Sequence, residues 1–312
     1  MSVIARTIPN RLNGIPFMDK TNVITSGQIF WVHSGTGSDG NHRGLNPHQP
    51  FATIDYAIGN CTANKGDVIY VMPGHAETLA AAGAITVDVA GVSIIGLGNG
   101  TNRPMLTYSA TTSTLLVTAL DVLIRGIQFT SAINNLAAFV VDSACNFTIE
   151  DCVFTTASTL EAYCFISITT TYDNIVIRRC EFYQPTDPQG TLNAAGTGAI
   201  YLVDSQNVLI EDCKFVGYFE TAFIHNLTTP ASDLWIKRCT GQQLLSDGLA
   251  VVMVALSTGG MIDCLFQVVA ATAAVEATFF TLSVTFFLLN CGVGNDGSGT
   301  GKLSYAGSTV IS

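Results

Sequence analysis

A cysteine recurs every 25 to 33 residues through most of the chain, each time inside the same short frame. The frame is clearest in CNFTIEDCVF (145–154), DNIVIRRCEF (173–182) and QNVLIEDCKF (206–215). With aliphatic residues in the cysteine position of the two earliest frames, the anchors are Leu97, Ile127, Cys152, Cys180, Cys213, Cys239, Cys264 and Cys291. A repeat of this length predicts stacked supersecondary units. The β-branched residues of each unit, broken by Gly, Asn and Asp, favour strand coils over helix pairs.

Alternate positions around the anchor predict the interior of each coil, because alternate residues of a strand face one side. We expect positions −5 and −3 to point inward, followed by two turn residues and then by the inward anchor and +2 positions. The +2 position holds Phe129, Phe154, Phe182 and Phe215, with Phe266 resuming the run after Gly241. Such columns, stacked at the strand spacing of about 4.8 Å, predict an all-β, single-stranded parallel β-helix. Its hand is expected to be right-handed, as it is for nearly all parallel crossovers.

The polar positions predict the turns and the register. Position −6 holds residues that tolerate the left-handed backbone of a tight corner: Asp121, Asn146, Asn174, Asn207 and Asp233. Two further positions carry charges that alternate in sign from coil to coil: Arg125, Glu150, Arg178, Glu211 and Lys237 at −2, and Asp151, Arg179, Asp212, Arg238 and Asp263 at −1. Opposite charges on adjacent strands attract. A slipped coil would bring like charges together, so these ladders favour one register.

The composition agrees with a stacked apolar interior. Charged residues are 12% of the 312 and apolar residues 48%, which excludes a disordered chain and argues against a coiled coil. The net charge of −10 repels phosphate backbones, so no nucleic-acid partner is expected. Residues 265–289 have the hydropathy of a membrane span, but their Val, Thr and Phe content favours strands, so no membrane partner is expected. Residues 1–20 lack the apolar core of a secretory signal, and we therefore expect reduced thiols.

Position −4 faces outward in this scheme and is nevertheless mostly apolar, and position −2 becomes apolar in the last coils. A long exposed apolar stripe indicates an interface. We expect this face to pack along the threefold axis of a homotrimer. The expected interface residues are Leu123, Val176, Leu209, Trp235, Ile262, Phe287 and Leu289. The alternative is a set of scattered surface apolar residues, which are normal in soluble proteins.

Three carboxylates outside the ladders, Asp142, Asp204 and Glu181, are the candidates for a glycan-cleaving site. Glycosidases need two carboxylates at a set separation. By their spacing from the anchors, Asp142 and Asp204 share a face but lie two coils apart, roughly 10 Å, which is long even for an inverting pair. We therefore expect no catalytic residue, no cofactor and no metal site. The three carboxylates belong to the alternative, a polysaccharide lyase or glycoside hydrolase.

The segment FWVHSGTGSDGNHRGLNPHQPFATIDYAIGNCTANKGDVIYVMPGHAETL (30–79) resembles the N-terminal part of pectate-lyase-like β-helix proteins. The resemblance implies a capping helix in PFATIDYAI (50–58) and the first coil strand in GDVIYV (66–71). With the coils that follow, it extends over residues 28–295 or so. The stretches VMPGHAETL (71–79) and AGVSIIGLGNG (90–100) are similar to β-helix proteins of tailed-bacteriophage virions. Those proteins serve as head decoration proteins, fibres and tailspikes, commonly as trimers.

These patterns divide the chain into an N-terminal arm (1–28), a loop with the capping helix and first coil strand (29–80), the parallel β-helix (81–295) and a C-terminal tail (296–312). The resemblance implies a virion protein, assembled in the host cytoplasm, that decorates or cements the capsid surface and contacts capsid or tail proteins. The alternative is a tailspike or host-glycan-binding protein, with or without depolymerase activity. In that alternative, Tyr183 and Tyr201 would line a sugar groove.

Overall fold

The computed structural model describes residues 11–12, 15–16, 25–133, 138–142, 146–157, 164–169, 174–185, 198–226, 229–245, 249–268, 280–281 and 286–295. The C-terminal tail (296–312) and most of the N-terminal arm (1–28) lie outside these ranges. The elements, in chain order, are β1 (Arg11–Leu12), β2 (Ile15–Pro16), β3 (Ile29–Val32), α1 (Ile54–Ile58), β4 (Val68–Val71), β5 (Ala76–Leu79), β6 (Ile85–Val87), β7 (Ser93–Gly96), a 3₁₀ turn (Gly100–Asn102), β8 (Met105–Tyr108), β9 (Leu115–Val117), β10 (Leu123–Arg125), β11 (Gln128–Ser131), β12 (Phe139–Val141), β13 (Thr148–Glu150), β14 (Val153–Thr156), β15 (Cys164–Ile168), β16 (Ile175–Arg178), β17 (Glu181–Gln184), β18 (Gly198–Leu202), β19 (Gln206–Glu211), β20 (Lys214–Gly217), β21 (Ala222–His225), β22 (Ser232–Lys237), β23 (Thr240–Gln243), β24 (Leu249–Val252), β25 (Gly259–Ile262), β26 (Leu265–Val268), β27 (Phe280–Thr281), β28 (Phe286–Leu289) and β29 (Gly292–Asn295).

The chain winds through three parallel sheets, which confirms the predicted all-β parallel β-helix. Sheet 1 contains β3, β4, β7, β10, β13, β16, β19, β22, β25 and β28. Sheet 2 contains β5, β8, β11, β14, β17, β20, β23, β26 and β29, and sheet 3 contains β6, β9, β12, β15, β18, β21, β24 and β27. Each strand pairs in parallel with its equivalent in the next coil, and the coils from β4 to β27 contribute to all three sheets. The pair β1 and β2 is antiparallel and forms a separate two-stranded sheet.

The predicted inward columns are buried, with one exception. Ile124 pairs with Ile149, and Ile149 with Ile177, along the interior of sheet 1. Leu97 was predicted to be an inward anchor, but it is only half-buried and packs outside, against the cluster of Val68, Tyr70 and Ile95. That prediction was wrong because the chain leaves the coil contour after Leu97, through the 3₁₀ turn, before β8 begins.

The phenylalanines of sheet 2 form a continuous stack in the interior. The rings of Phe129, Phe154, Phe182 and Phe215 lie 4.8 to 5.0 Å apart at interplanar angles of 13°, 8° and 6°. At the next coil, Gly241 supplies no side chain, and Phe223 from sheet 3 fills the space, 5.4 Å from Phe215 and 5.6 Å from Phe266. Offset or parallel aromatic pairs contribute beyond their buried area, so this stack is a principal element of the core.

Two turn positions adopt the left-handed conformation in most of the coils. The Asn/Asp corner at −6 does so as predicted, with φ between 51° and 79° in the five coils named above. The −1 position does so as well, even at Arg179 (φ 52°) and Arg238 (φ 50°). This geometry turns each backbone N–H toward the next coil, and Arg179 N donates to Glu211 O at 3.0 Å. The cost of left-handed backbone at a non-glycine residue is thus offset by a hydrogen bond between coils.

The six anchor cysteines are buried free thiols, as predicted.

In the N-terminal segment, α1 is fixed by two acidic residues. Asp39 accepts hydrogen bonds from the backbone N–H and the hydroxyl of Thr53, at 3.2 and 2.8 Å. Glu77 accepts from the N–H of Ile54 at 3.1 Å and from the ring of His75 at 3.2 Å. The helix therefore closes the first coil, which agrees with the cap that the resemblance implies.

Within the residues that the structure describes, no helix has the length and apolar character needed to cross a membrane. The described parts of the hydropathic stretch 265–289 are the strands β26, β27 and β28.

Candidate functional site

The three candidate carboxylates lie on different parts of the solenoid. Asp142 directly follows β12 and Asp204 lies two residues after β18, so both are on the connection from sheet 3 to sheet 1. The register pairs Val141 with Ile168 and Ile168 with Leu202. Asp142 and Asp204 are therefore two coils apart and offset by one residue, roughly 10 Å from stacking alone. Glu181 begins β17 on sheet 2 and joins neither of them.

A shallow polar track runs along the outer face of sheet 2. It consists of three successive grooves, of about 600, 150 and 180 Å³. Glu181 lines the first and second grooves, and Lys214 lines the second and third. Tyr183, whose side chain is exposed, lines the middle groove, which agrees with its predicted place beside Glu181. Tyr201 does not belong to this track and instead stacks on His225 at 4.9 Å on sheet 3.

Arg103 forms the wall between the first groove of this track and a further groove of about 500 Å³ over the turn from sheet 1 to sheet 2. Its Nη1 donates to the carbonyl oxygen of Asp151, two coils further on, at 2.7 Å. The side chain can reach that far because Gly126 occupies the intervening turn position, where later coils carry Asp or Arg. Arg103 belongs to none of the sequence patterns described above. The glycine in a column of charged residues was the signal that could have indicated a crossing side chain.

The predicted charge ladders are formed, and they lie on sheet 1 and its turn. Glu150 is 5% exposed and contacts three guanidinium groups, those of Arg125, Arg178 and Arg179. Burial raises the pKa of Asp151, but hydrogen bonds and charges from Arg179 and Arg125 outweigh it, so the pKa lies below its ordinary value.

In the next pair of coils, Arg238 bridges Glu211 at 2.9 Å and Asp212 at 2.7 Å. The hydrogen bond from Arg238 lowers the pKa of Asp212. The lowered pKa values keep Asp151 and Asp212 ionised, and both carboxylates are bound within the chain. Such groups are unsuited to general acid catalysis, which needs a proton available near neutral pH.

The predicted outward stripe has two distinct parts. Leu123, Val176 and Leu209 are half-buried between neighbouring outward side chains. At the C-terminal end, the stripe opens into an apolar concavity of about 270 Å³, which we call the sheet 1 patch; its lining residues are Trp235, Ile262, Phe287, Leu288 and Leu289. Phe287 is 51% exposed and Leu289 is 47% exposed.

Two local features shape this patch. Gly260 lies between Trp235 and Phe287 in register, and a Cβ there would be 3.0 Å from atoms of both side chains, so the glycine lets the two aromatic residues approach. The indole N–H of Trp235 donates to Asp233 at 2.7 Å, and the Lys237 ammonium lies 5.5 Å from the ring centroid. The ring is thus fixed with its polar edge satisfied.

No group of three or more His, Cys, Asp or Glu side chains able to hold a metal occurs among the described residues.

Three stacked sheets around buried columns define the class, a right-handed parallel β-solenoid. A family model for the right-handed β-helix region matches residues 113–278, more than half of the chain, so the chain belongs to this family. A search of the curated proteins finds no match.

Two solved structures share the fold, and a third has a weaker overall similarity. The pectin methylesterase from Aspergillus niger is 15% identical, with a TM-score of 0.53 and coverage of 91% of this chain and 90% of that one. A rhamnogalacturonan lyase is 13% identical, with a TM-score of 0.51 and coverage of 78% and 74%. The ORF18 protein of Geobacillus virus E2 is 12% identical, with a TM-score of 0.40 and coverage of 84% and 60%. At these identities the similarity shows the fold alone.

Proposed function

We propose that the chain is a structural protein of a tailed-bacteriophage virion, a homotrimer that decorates or cements the capsid surface. The observation that carries the proposal is the sheet 1 patch. A contiguous exposed apolar surface of this kind is typical of interfaces, and aromatic residues in a pocket are typical interface anchors. The virion assignment is supported by the sequence resemblance of the N-terminal and first-coil segments.

The charge of sheet 1 supports association between copies. The two ladder columns hold five basic and five acidic residues and are neutral together: Arg125, Arg178, Arg179, Lys237 and Arg238 with Glu150, Asp151, Glu211, Asp212 and Asp263. Since the whole chain carries −10, the negative charge lies elsewhere. Copies that approach through sheet 1 therefore avoid most of their mutual repulsion, and the patch supplies the apolar area.

Among the described residues, the three candidate carboxylates form no pair at a hydrolytic separation, which supports a structural role over hydrolysis. Asp142 and Asp204 are too far apart, and Glu181 lies on another sheet. We accordingly propose no catalytic residue.

The oligomeric state in solution tests the proposed interface. Light scattering coupled to size exclusion should give about three times the 33.0 kDa chain mass for the native protein and one chain mass for Phe287→Asp or Trp235→Asp. Leu265→Asp is the matched control, because Leu265 is 57% exposed in the same part of the solenoid but on sheet 2. A monomeric native protein, or a Phe287→Asp trimer, would refute the interface. If the native protein is a trimer, cryo-electron microscopy of the intact particle would locate the chain on the head or on the tail.

The polar track on sheet 2 favours a second candidate function, binding of a host glycan. Its three grooves continue over several coils, as an extended polymer requires, and combine an exposed carboxylate at Glu181, a cation at Lys214 and an aromatic ring at Tyr183. Binding of oligosaccharides that is lost in Tyr183→Ala would support this function. Failure of a broad oligosaccharide panel to bind the native protein would exclude it.

A further inference from the structure

Arg103 differs from the other arginines of the described coils in what it contacts. Arg125, Arg178, Arg179 and Arg238 all bind carboxylates of the ladders. Among the described residues, Arg103 makes a single side-chain hydrogen bond, to a backbone carbonyl. A guanidinium carries five N–H donors, so most of the donors of Arg103 are available to a ligand.

The groove around Arg103 places those donors where a ligand can reach them. Arg103 separates two grooves of about 600 and 500 Å³, which are open to solvent. The first is also the first groove of the sheet 2 track; it contains Gln128 and shares Glu181 with the middle groove of that track. A chain lying in the track would therefore pass the guanidinium group at one end.

The position of Arg103 is fixed before any ligand arrives. The residue ends the 3₁₀ turn, its N–H donates to Gly100 O at 3.1 Å, and its side chain is held by the 2.7 Å bond to Asp151 O. A Cβ on Gly126 would lie 2.7 Å from Gly96 O, so the intervening turn is packed as tightly as its backbone allows. Pre-organised donors bind with less loss of side-chain entropy.

The charge next to Arg103 is positive. The nearest acidic side chain on this wall, Asp151, is bound by Arg125 at 3.0 Å and by Arg179 at 2.7 Å. Arg125 also lines the second groove. Glu181 lines the same groove, in the coil that follows Val153, and is itself followed by Lys214 in the next coil. An anionic group is thus favoured beside Arg103.

We propose that Arg103 binds an acidic substituent, a carboxylate or a sulfate, of a glycan that lies along the sheet 2 track. This inference rests on the second candidate function and specifies its ligand. The planar guanidinium fork matches the oxygens of either group. Gln128 and Glu181 then contact sugar hydroxyls, and Tyr183 stacks on a ring further along.

Isothermal titration of the full chain with three probes tests the inference: a linear oligogalacturonate, a neutral oligosaccharide of equal length and a sulfated oligosaccharide. We expect at least one acidic probe to bind ten-fold or more tightly than the neutral one, with an affinity that falls as salt is added. Arg103→Gln should remove that preference, and Arg103→Lys should retain part of it. Arg238→Gln, an exposed arginine already bound to carboxylates, is the control and should leave the affinity unchanged.

Three other outcomes of the titrations would contradict the proposed role of Arg103. Equal binding of acidic and neutral probes, or an unchanged acidic preference in correctly folded Arg103→Gln, refutes the inference and leaves glycan binding intact. Binding of free galacturonate as tight as that of the oligomer refutes a polymer ligand and indicates a site for a small anion. If no probe binds the native protein, the second candidate function fails together with the inference.

Discussion

His225 should make the protein sensitive to acid. The residue ends β21 on sheet 3, is fully buried and stacks on Tyr201. Within the part of the chain that the structure describes, neither ring nitrogen has a hydrogen-bond partner. Burial lowers its pKa from 6.5 to about 4. The folded state therefore accepts the neutral ring and disfavours the imidazolium.

The size and direction of the effect follow from this pKa difference. Above pH 6.5 the ring is neutral in both states, and its titration does not alter stability. Between pH 6.5 and 4 the unfolded chain binds the proton and the folded chain does not, so the free energy of unfolding falls as the pH is lowered. One pKa unit corresponds to about 1.4 kcal/mol, so the total loss is about 3 kcal/mol and is nearly complete at pH 4.

Equilibrium urea denaturation of the native protein and of His225→Phe, from pH 4 to 8, measures this effect. Phe keeps a flat ring against Tyr201 but cannot be protonated. The difference in unfolding free energy between the two proteins should shift by about 2.5 kcal/mol in favour of the variant between pH 7.5 and 4.5. His48→Phe, the same substitution at an exposed histidine, is the matched control. Parallel pH profiles for native protein and His225→Phe would refute the reasoning.

Four further substitutions probe the stacked core and the ladders. Glu150→Gln should lower the unfolding free energy by about 2–3 kcal/mol in urea denaturation, because it leaves three guanidinium groups without their buried partner; the more exposed Glu211→Gln should cost below about 1 kcal/mol. Phe182→Ala should cost about 3–5 kcal/mol by the same measurement, since it opens a cavity within the aromatic stack. Gly241→Ala should lower the melting temperature, because its Cβ would lie 2.5 Å from Phe223 and the surrounding core would have to move. Overpacking of this kind costs about 1–3 kcal/mol of unfolding free energy. A Gly241→Ala protein as stable as the native one would show that the stack is loosely packed.

The repeat predicted the interior of the fold well because burial acts on each coil in the same way. Every coil must fill the same inward positions, so the columns at −5, −3 and +2 and the left-handed corner at −6 repeat in the sequence. Leu97 is the informative failure. Its local frame matches the others, and its position is decided by the 3₁₀ turn that follows, which the frame does not contain.

The relation between coils was harder to predict than the coils themselves. Glu181 shares no face with Asp142 or Asp204, because turns of unequal length separate the sheets and only the pairing register assigns a residue to one of them. Arg103 was missed for a similar reason. Its side chain crosses a coil boundary, and its partner is a backbone carbonyl, which leaves no pattern of side chains in the sequence.

The column of anchor cysteines provides one chemical reporter in each coil from Cys152 to Cys291. A solenoid is held together chiefly by contacts between neighbouring coils, so opening can begin at an end and spread. Exposure rises from 0% at Cys152 to 2% at Cys264 and 7% at Cys291. Timed alkylation followed by peptide mass spectrometry would thus record, thiol by thiol, the order in which the coils open.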